Sequence, residues 1–374
     1  MNWKQLRFII TMIAFIFMQA SLFCQKVIFL QPYLDTFDLI ALSLFAIDII
    51  VSLAQTKLSY KQIIAYILLF ISGLITYLAT KNAAIAYLAL LSIVSMSKSI
   101  DDIIKLDLYS KLTILAFVIL CYLQGHTESG TFLRDGATRQ AFGFSHPNTL
   151  GYIVATIYTD FMLLSRNNKS KRKIIINVVL LVIGCLVISA AGSRTSLLFI
   201  VASFIMFEFG QKFLDTKQKK KTDRKIAKNI SIFMPIIMLV VSICLTFMYN
   251  ANNPFALKMD DLLSTRIRWQ NYYTNNHPVS MFGEEMHFSG MPLDNGYYRI
   301  LHNLGIMGLI VTLYVCCRAI KRASTDEKEI KRHLLLLSLY AISEWIALRM
   351  IVTPYWLIGF TRKDERKLTE QNEN

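Results

Sequence analysis

The sequence predicts an all-α, polytopic integral membrane protein with about 10–12 spanning helices. Three observations carry that expectation. The chain has 374 residues, 54% of them hydrophobic, and a mean hydropathy of +0.44. Its apolar residues fall in long blocks rather than in the amphipathic period of a soluble helix. Its Lys and Arg residues gather in short runs between alternate blocks, as positive inward-facing loops do. Lipid offers no water to the backbone, so such blocks must be helices or strands of a closed barrel. The short alternating segments of a barrel are not in the sequence.

Taken in order, the apolar blocks lie at 8–23, 37–54, 62–79, 83–96, 108–123, 149–165, 174–190, 195–209, 230–249 and 297–317. The first follows Lys4 and Arg7 like a signal peptide. The residues after it, Ser21-Leu22-Phe23-Cys24, fit a small-residue cleavage site poorly, so it reads as a retained span. With the N-terminus inside, basic loops fall inside at 57–61, 98–105, 166–173, 212–228 and 318–332. The outer face then receives a loop at 124–147, a tight turn at 192–194 and a loop at 250–296. The C-terminal stretch 334–359 is too long for one untilted crossing and too short for two, and Pro354 with Arg349 suits a shallow outer hairpin. The tail from Arg362 to Lys367 then returns inside. The whole chain, 1–374, reads as a single membrane domain without internal repeats.

The net charge of +15 could suggest nucleic acid. Its confinement to short loops between apolar blocks points instead to topology and anionic lipid heads, and no nucleic-acid partner is expected. The six cysteines sit within or beside apolar blocks, with no metal-ligand spacing. They read as small apolar helix residues, and neither a metal nor another cofactor is expected.

Four stretches would meet at the outer face. In Arg139–Gly151, Pro147 suits the first turn of a helix that Ser145 or His146 can cap. The helix N-terminus beside Arg139, His146 and Asn148 is suited to a phosphate; an ordinary cap with Arg139 reaching the interface is the alternative. In Ala190–Ser196, Gly192 can end one helix and Ser193 start the next. Arg194 is thereby left where an unpaired cation is costly, either snorkelling to lipid phosphate or holding an anion. The third stretch sets Arg266 and Arg268 before Trp269, Tyr272 and Tyr273, then Gly283, Glu284 and Glu285. Arginine with aromatics can bind sugar and phosphate, although aromatics also anchor at interfaces. The fourth, Leu293–Arg299, carries Asp294, Asn295 and Tyr297 at a helix start, where Asp294 can serve as cap. Glu284, Glu285, His287 and Asp294 are the acid–base candidates of the long loop.

The ordered set Arg139…Gly143-Phe-Ser-His-Pro-Asn148, Ser193-Arg-Thr195, Arg266…Trp269…Gly283 and Asp294-Asn-Gly-Tyr297 resembles the O-antigen polymerase (Wzy-type) family of bacterial polysaccharide polymerases. The resemblance covers roughly residues 124–308. It implies a GT-C-like fold in the bacterial cytoplasmic membrane, with the active face extracytoplasmic. The implied substrate is an oligosaccharide carried on undecaprenyl diphosphate, and the implied partners are membrane lipids, a flippase and a chain-length regulator. A lipid diphosphate is already a good leaving group, so catalysis would rest on cations aimed at its developing charge, and Arg binds phosphate oxygens in pairs. Arg139, Arg194 and Arg266 would form that clamp. His146, Asp294 and Glu284 are candidates to take the acceptor's proton; Asn148, Arg268, Trp269, Asn295 and Tyr297 would bind substrate. A ligase moving the finished chain to another acceptor would use the same residues. A flippase or secondary transporter would need mid-span charges or repeats, and only Asp48, Asp160 and Glu344 stand out.

Overall fold

The computed structural model describes residues 3–55, 58–128, 130–134, 137–168, 170–210, 229–286 and 292–362. His287, the basic run 212–228 and the tail beyond Arg362 lie outside the described residues. The chain divides into two compact units, each assembled from separate stretches. One comprises Met1–Leu58, Leu90–Glu208 and Phe360–Asn374; the other comprises Ser59–Ala89 and Phe209–Gly359.

The all-α class is as the apolar blocks predict. In chain order the helices are α1 (Trp3–Phe23), α2 (Leu34–Gln55), α3 (Tyr60–Thr80), α4 (Ala84–Ser95), α5 (Ile100–Leu123), α6 (Pro147–Leu164), α7 (Lys171–Ala191) and α8 (Arg194–Glu208). There follow α9 (Met234–Asn250), α10 (Pro254–Leu262), α11 (Arg266–Asn276), α12 (Gly296–Asn303), α13 (Gly305–Asp326) and α14 (Lys328–Tyr340). Among the described residues four helical stretches are long and apolar enough to cross a membrane: Trp3–Phe23, Ile28–Ala54, Gln62–Thr80 and Arg172–Ala191. A fifth joins them if α9 and α10, bent by 117°, count as one broken span. The other blocks that were expected to cross fall short by this measure for visible reasons. The α5 helix carries Asp101, Asp102, Lys105, Asp107 and Lys111, while α8 is 15 residues long. On α3, Ile67, Leu68, Leu74 and Leu78 are exposed, as are Ile175, Val182 and Leu186 on α7. Water would penalise such faces by about 25 cal/mol per Å²; lipid does not.

In the first unit α1 packs on α2 and α5, α5 on α6, and α6, α7 and α8 on one another. Close approach at that last cluster depends on glycine. A Cβ on Gly151 of α6 would lie 2.7 Å from the Ser193 side chain, and one on Gly184 of α7 would lie 2.7 Å from Ile200. Between α1 and α2, Phe15 meets Phe45 edge to face at 5.4 Å. In the second unit α9 packs on α11 and α14, and α13 joins α12 and α14.

The stretches between the apolar blocks have structure of their own. The stretch 124–147 contains a two-stranded antiparallel hairpin, β1 (Thr131–Arg134) and β2 (Ala137–Gln140), with Phe132 opposite Arg139. The loop at 250–296 contains α10 and α11. Asn253 caps α10, with its side chain accepting from the Phe255 amide and Pro254 in the first turn. A corner of two left-handed residues, Ser264 and Thr265, then starts α11. A search for apolar blocks overlooks these helices because they are polar. The α11 helix nevertheless buries Arg266, Ile267, Gln270 and Tyr273, one face at helical spacing. The C-terminal stretch 334–359, read from the sequence as a shallow hairpin, is helical only at its start. After α14 ends, two 3₁₀ turns, Trp345–Leu348 and Pro354–Phe360, fill buried space. Trp356 is wholly buried and donates from Nε1 to the Ala347 carbonyl at 2.7 Å.

Candidate functional site

In the first unit, the opening of α6 and the α7–α8 turn come together around Arg139. Its side chain is 9% exposed. Nη2 donates to Asn148 Oδ1 at 2.7 Å, and Nε donates to the Ala191 carbonyl at 3.3 Å. Gly192 ends α7 in the left-handed conformation, as its sequence position predicts. A Cβ there would come within 3.0 Å of Arg139 Cγ and Nε, so glycine serves both the turn and the arginine. Ser193 donates its hydroxyl to Ser196 at 2.9 Å. Arg194 opens α8 and is exposed. Two helix N-termini, those of α6 and α8, thus lie beside Arg139, and their dipoles add positive charge.

His146 is the N-cap of α6, and its Nδ1 accepts from the Asn148 amide at 3.1 Å. A neutral imidazole has one basic lone pair, and the helix uses it here. The capping role makes its own prediction: His146→Ala should lower the stability of the purified chain by about 1 kcal/mol, while His146→Asn, which restores a good cap, should leave it nearly unchanged. Equal melting temperatures for wild type and His146→Ala would show that the cap contributes nothing.

The other candidates belong to the second unit. Arg266, 6% exposed, donates from Nη2 to Glu344 Oε1 at 2.7 Å and lies 3.5 Å from Asp294 Oδ2. Its Nη1 donates to the Leu263 carbonyl at 2.9 Å. Two carboxylates of the same unit, Glu344 and Asp294, thus lie against the Arg266 guanidinium. Asn295, not Asp294, caps α12, with Oδ1 accepting from the Tyr297 and Tyr298 amides and Nδ2 donating to Ser242 Oγ. Tyr297 is wholly buried and donates to the Ser338 carbonyl at 2.8 Å. Both are buried and hydrogen-bonded within the unit. Arg268 is exposed, donating from Nε to the Tyr249 hydroxyl, while its amide donates to buried Asp260. Trp269 packs edge to face on Tyr272. Glu284 and Glu285 are exposed, with Glu284 3.9 Å from His277.

The same unit contains a cavity of about 250 Å³ that the motif pattern did not anticipate. Arg299 of α12, Trp345 and Arg349 line it, with Asn82, Asn303 and Thr312 among its polar atoms and Ile85 and Leu88 among its apolar wall. Both guanidiniums lie over the indole of Trp345, Arg299 at 3.9 Å and Arg349 at 5.2 Å from the ring centroid. Cation–π contact fixes the two charges without neutralising them. Gly296, directly after the Asn295 cap, also lines the cavity, bringing one residue of the Asp294-Asn-Gly-Tyr297 motif to its wall. The available sequence signal for Arg299 and Arg349 was the cost of a cation in an apolar stretch.

Among the described residues no group of three or more His, Cys, Asp or Glu side chains could hold a metal ion. No known protein-family model matches this chain, and no curated protein is similar to it.

Proposed function

We propose that this chain joins oligosaccharide repeat units carried on a lipid diphosphate, working at the outer face of a bacterial cytoplasmic membrane. The observation that carries this reading is the cavity in which Arg299 and Arg349 are set over Trp345. Small-molecule sites usually enclose ~300–1,000 Å³. A cavity of about 250 Å³ therefore suits a diphosphate head better than a whole oligosaccharide.

In the proposed reaction an acceptor hydroxyl attacks the donor's anomeric carbon. A new glycosidic C–O bond forms as the C–O bond to the diphosphate breaks. The electron pair of the broken bond leaves on the diphosphate, and the hydroxyl proton passes to a carboxylate. Two fixed guanidiniums stabilise the departing charge without having to reorganise. Asp294 is the carboxylate that best fits the proton transfer, since its side chain is 27% exposed and it lies two residues before the cavity-lining Gly296. Arg139 and Arg194, with the starts of α6 and α8, offer a second anion-binding surface in the other unit. The transporter reading loses ground because Asp48 and Glu344, charges that it would need for transport, are already engaged by cations. Asp48 is held by Arg7 and Lys98, and Glu344 by Arg266.

Deleting the chain from its host, with the length distribution of lipid-linked glycan as readout, tests the proposal. Single repeat units should accumulate, and the wild-type chain supplied in trans should restore long ones. Undiminished chain length in the deletion strain would remove the polymerase reading; full-length chains retained on the carrier would point to the ligase.

A further inference from the structure

In the second unit one buried guanidinium is shared by two carboxylates. Arg266 of α11 donates from Nη2 to Glu344 Oε1 at 2.7 Å, and the same nitrogen lies 3.5 Å from Asp294 Oδ2. The side chains of Arg266 and Glu344 are each 6% exposed, whereas that of Asp294 is 27% exposed. Asp294 precedes the Asn295 cap of α12, and Glu344 precedes the 3₁₀ turn at Trp345. Packing alone joins the three.

The two contacts are not equivalent. The contact with Glu344 has the length of a charge-assisted hydrogen bond, about 2.7–2.9 Å for a nitrogen donor on an ionised oxygen. The longer approach to Asp294 is attraction without such a bond. Asp294 is drawn towards Arg266 while its oxygen is not taken up by the guanidinium. The difference matters when Asp294 takes a proton. In a simple buried pair, neutralising the carboxylate strands the cation, which is strongly unfavourable. Here Glu344 stays on Arg266, so the buried cation keeps a partner whether Asp294 is ionised or neutral. The Glu344 carboxylate also acts on Asp294 as a like charge, which favours the protonated form. Arg266 from α11 and the cavity-lining Arg299 from α12 act in the opposite sense.

We propose that Arg266 and Glu344 are positioning residues that hold Asp294 ready to accept and release a proton. Arg266 aims the carboxylate, and Glu344 keeps Arg266 paired through the protonated state. Assigning this proton to the acceptor hydroxyl rests on the polymerase reading; the coupling among the three side chains does not. In that reaction the hydroxyl proton passes to an Asp294 oxygen as the glycosidic C–O bond forms. The lipid diphosphate leaves with the electron pair of the broken C–O bond, and Asp294 then returns its proton to water.

The test uses the full chain, purified in a non-ionic detergent. The infrared carbonyl band of protonated carboxyl groups is followed over a pH series, and its Asp294 component is the part that Asp294→Asn removes. Glu344→Gln keeps an acceptor for Arg266 but removes the like charge. It should move the Asp294 midpoint down by about one pH unit, a tenfold change in proton affinity. Arg266→Met/Glu344→Leu, which also removes the nearer cation, should move the midpoint up. Glu344→Asp retains the charge and should restore the wild-type value. A pair that serves only the fold moves neither midpoint. If Glu344→Gln gives no monodisperse peak, the apolar double variant decides alone. Elongation of lipid-linked repeat units extracted from the deletion strain is measured over the same pH series, and its acid limb should follow the midpoint in each variant. An unmoved midpoint, shifts of the same sign in both variants, or an acid limb that stays in place while the midpoint moves overturns the proposal. Opposite shifts in a wild-type chain that elongates nothing establish the coupling and remove the polymerase reading instead.

Discussion

Glu344→Ala is expected to lower the stability of the purified chain by about 3–5 kcal/mol, the range for breaking one side of a buried ion pair. Glu344 and Arg266 are each 6% exposed in their side chains and meet at 2.7 Å. Alanine would leave the Arg266 guanidinium buried, with only Asp294, at 3.5 Å and partly exposed, to offset its charge. Nε of Arg266 already lacks a hydrogen-bond partner, so the group has little to fall back on. Joint replacement by apolar residues, Arg266→Met with Glu344→Leu, should recover most of the loss, because it removes both charges instead of stranding one. Thermal unfolding in detergent measures both variants. An unchanged melting temperature for Glu344→Ala would show that the pair contributes nothing to stability. That result would also free Arg266 to bind a ligand.

The second large effect concerns chemistry. Arg299→Lys should slow chain elongation on the order of a hundredfold, the usual cost of losing one aimed donor, about 3 kcal/mol in the transition state. Lysine keeps the charge but loses the planar fork that binds phosphate oxygens in pairs and stacks on an indole. The guanidinium of Arg299 sits 3.9 Å from the Trp345 ring centroid, within cation–π distance. A positive charge alone, if Arg299 served only to meet lipid heads, would be supplied equally well by lysine. The readout is the length distribution of lipid-linked glycan, alongside protein yield and a monodisperse detergent-solubilised peak to exclude misfolding. Wild-type chain lengths from Arg299→Lys would take Arg299 out of the reaction.

The helical class was legible in the sequence because long apolar blocks leave the backbone no other way to satisfy its hydrogen bonds. Caps were legible for the same local reason. Pro147 behind His146 and Gly192 at the end of α7 stand where their own stereochemistry places them. Polar helices such as α11 escaped notice, since their mean apolarity is low and only the burial of one face marks them. The choice of Asn295 over Asp294 as cap was likewise closed to inspection, because either residue type can cap and only the chain path selects one.

By itself, then, the sequence determined where the apolar helices form and which residues could carry charge into an apolar chain. Those properties depend on neighbours a few positions away. The tertiary structure alone decided what each charge faces. Arg266 meets Glu344 from 78 positions along the chain, Arg7 meets Asp48 from 41, and Arg299 and Arg349 converge on one tryptophan. An arginine's chemistry is set by whether its partner is a carboxylate, a carbonyl or a ring beside an open cavity. Such partners come from distant segments brought together by packing, which no local pattern encodes.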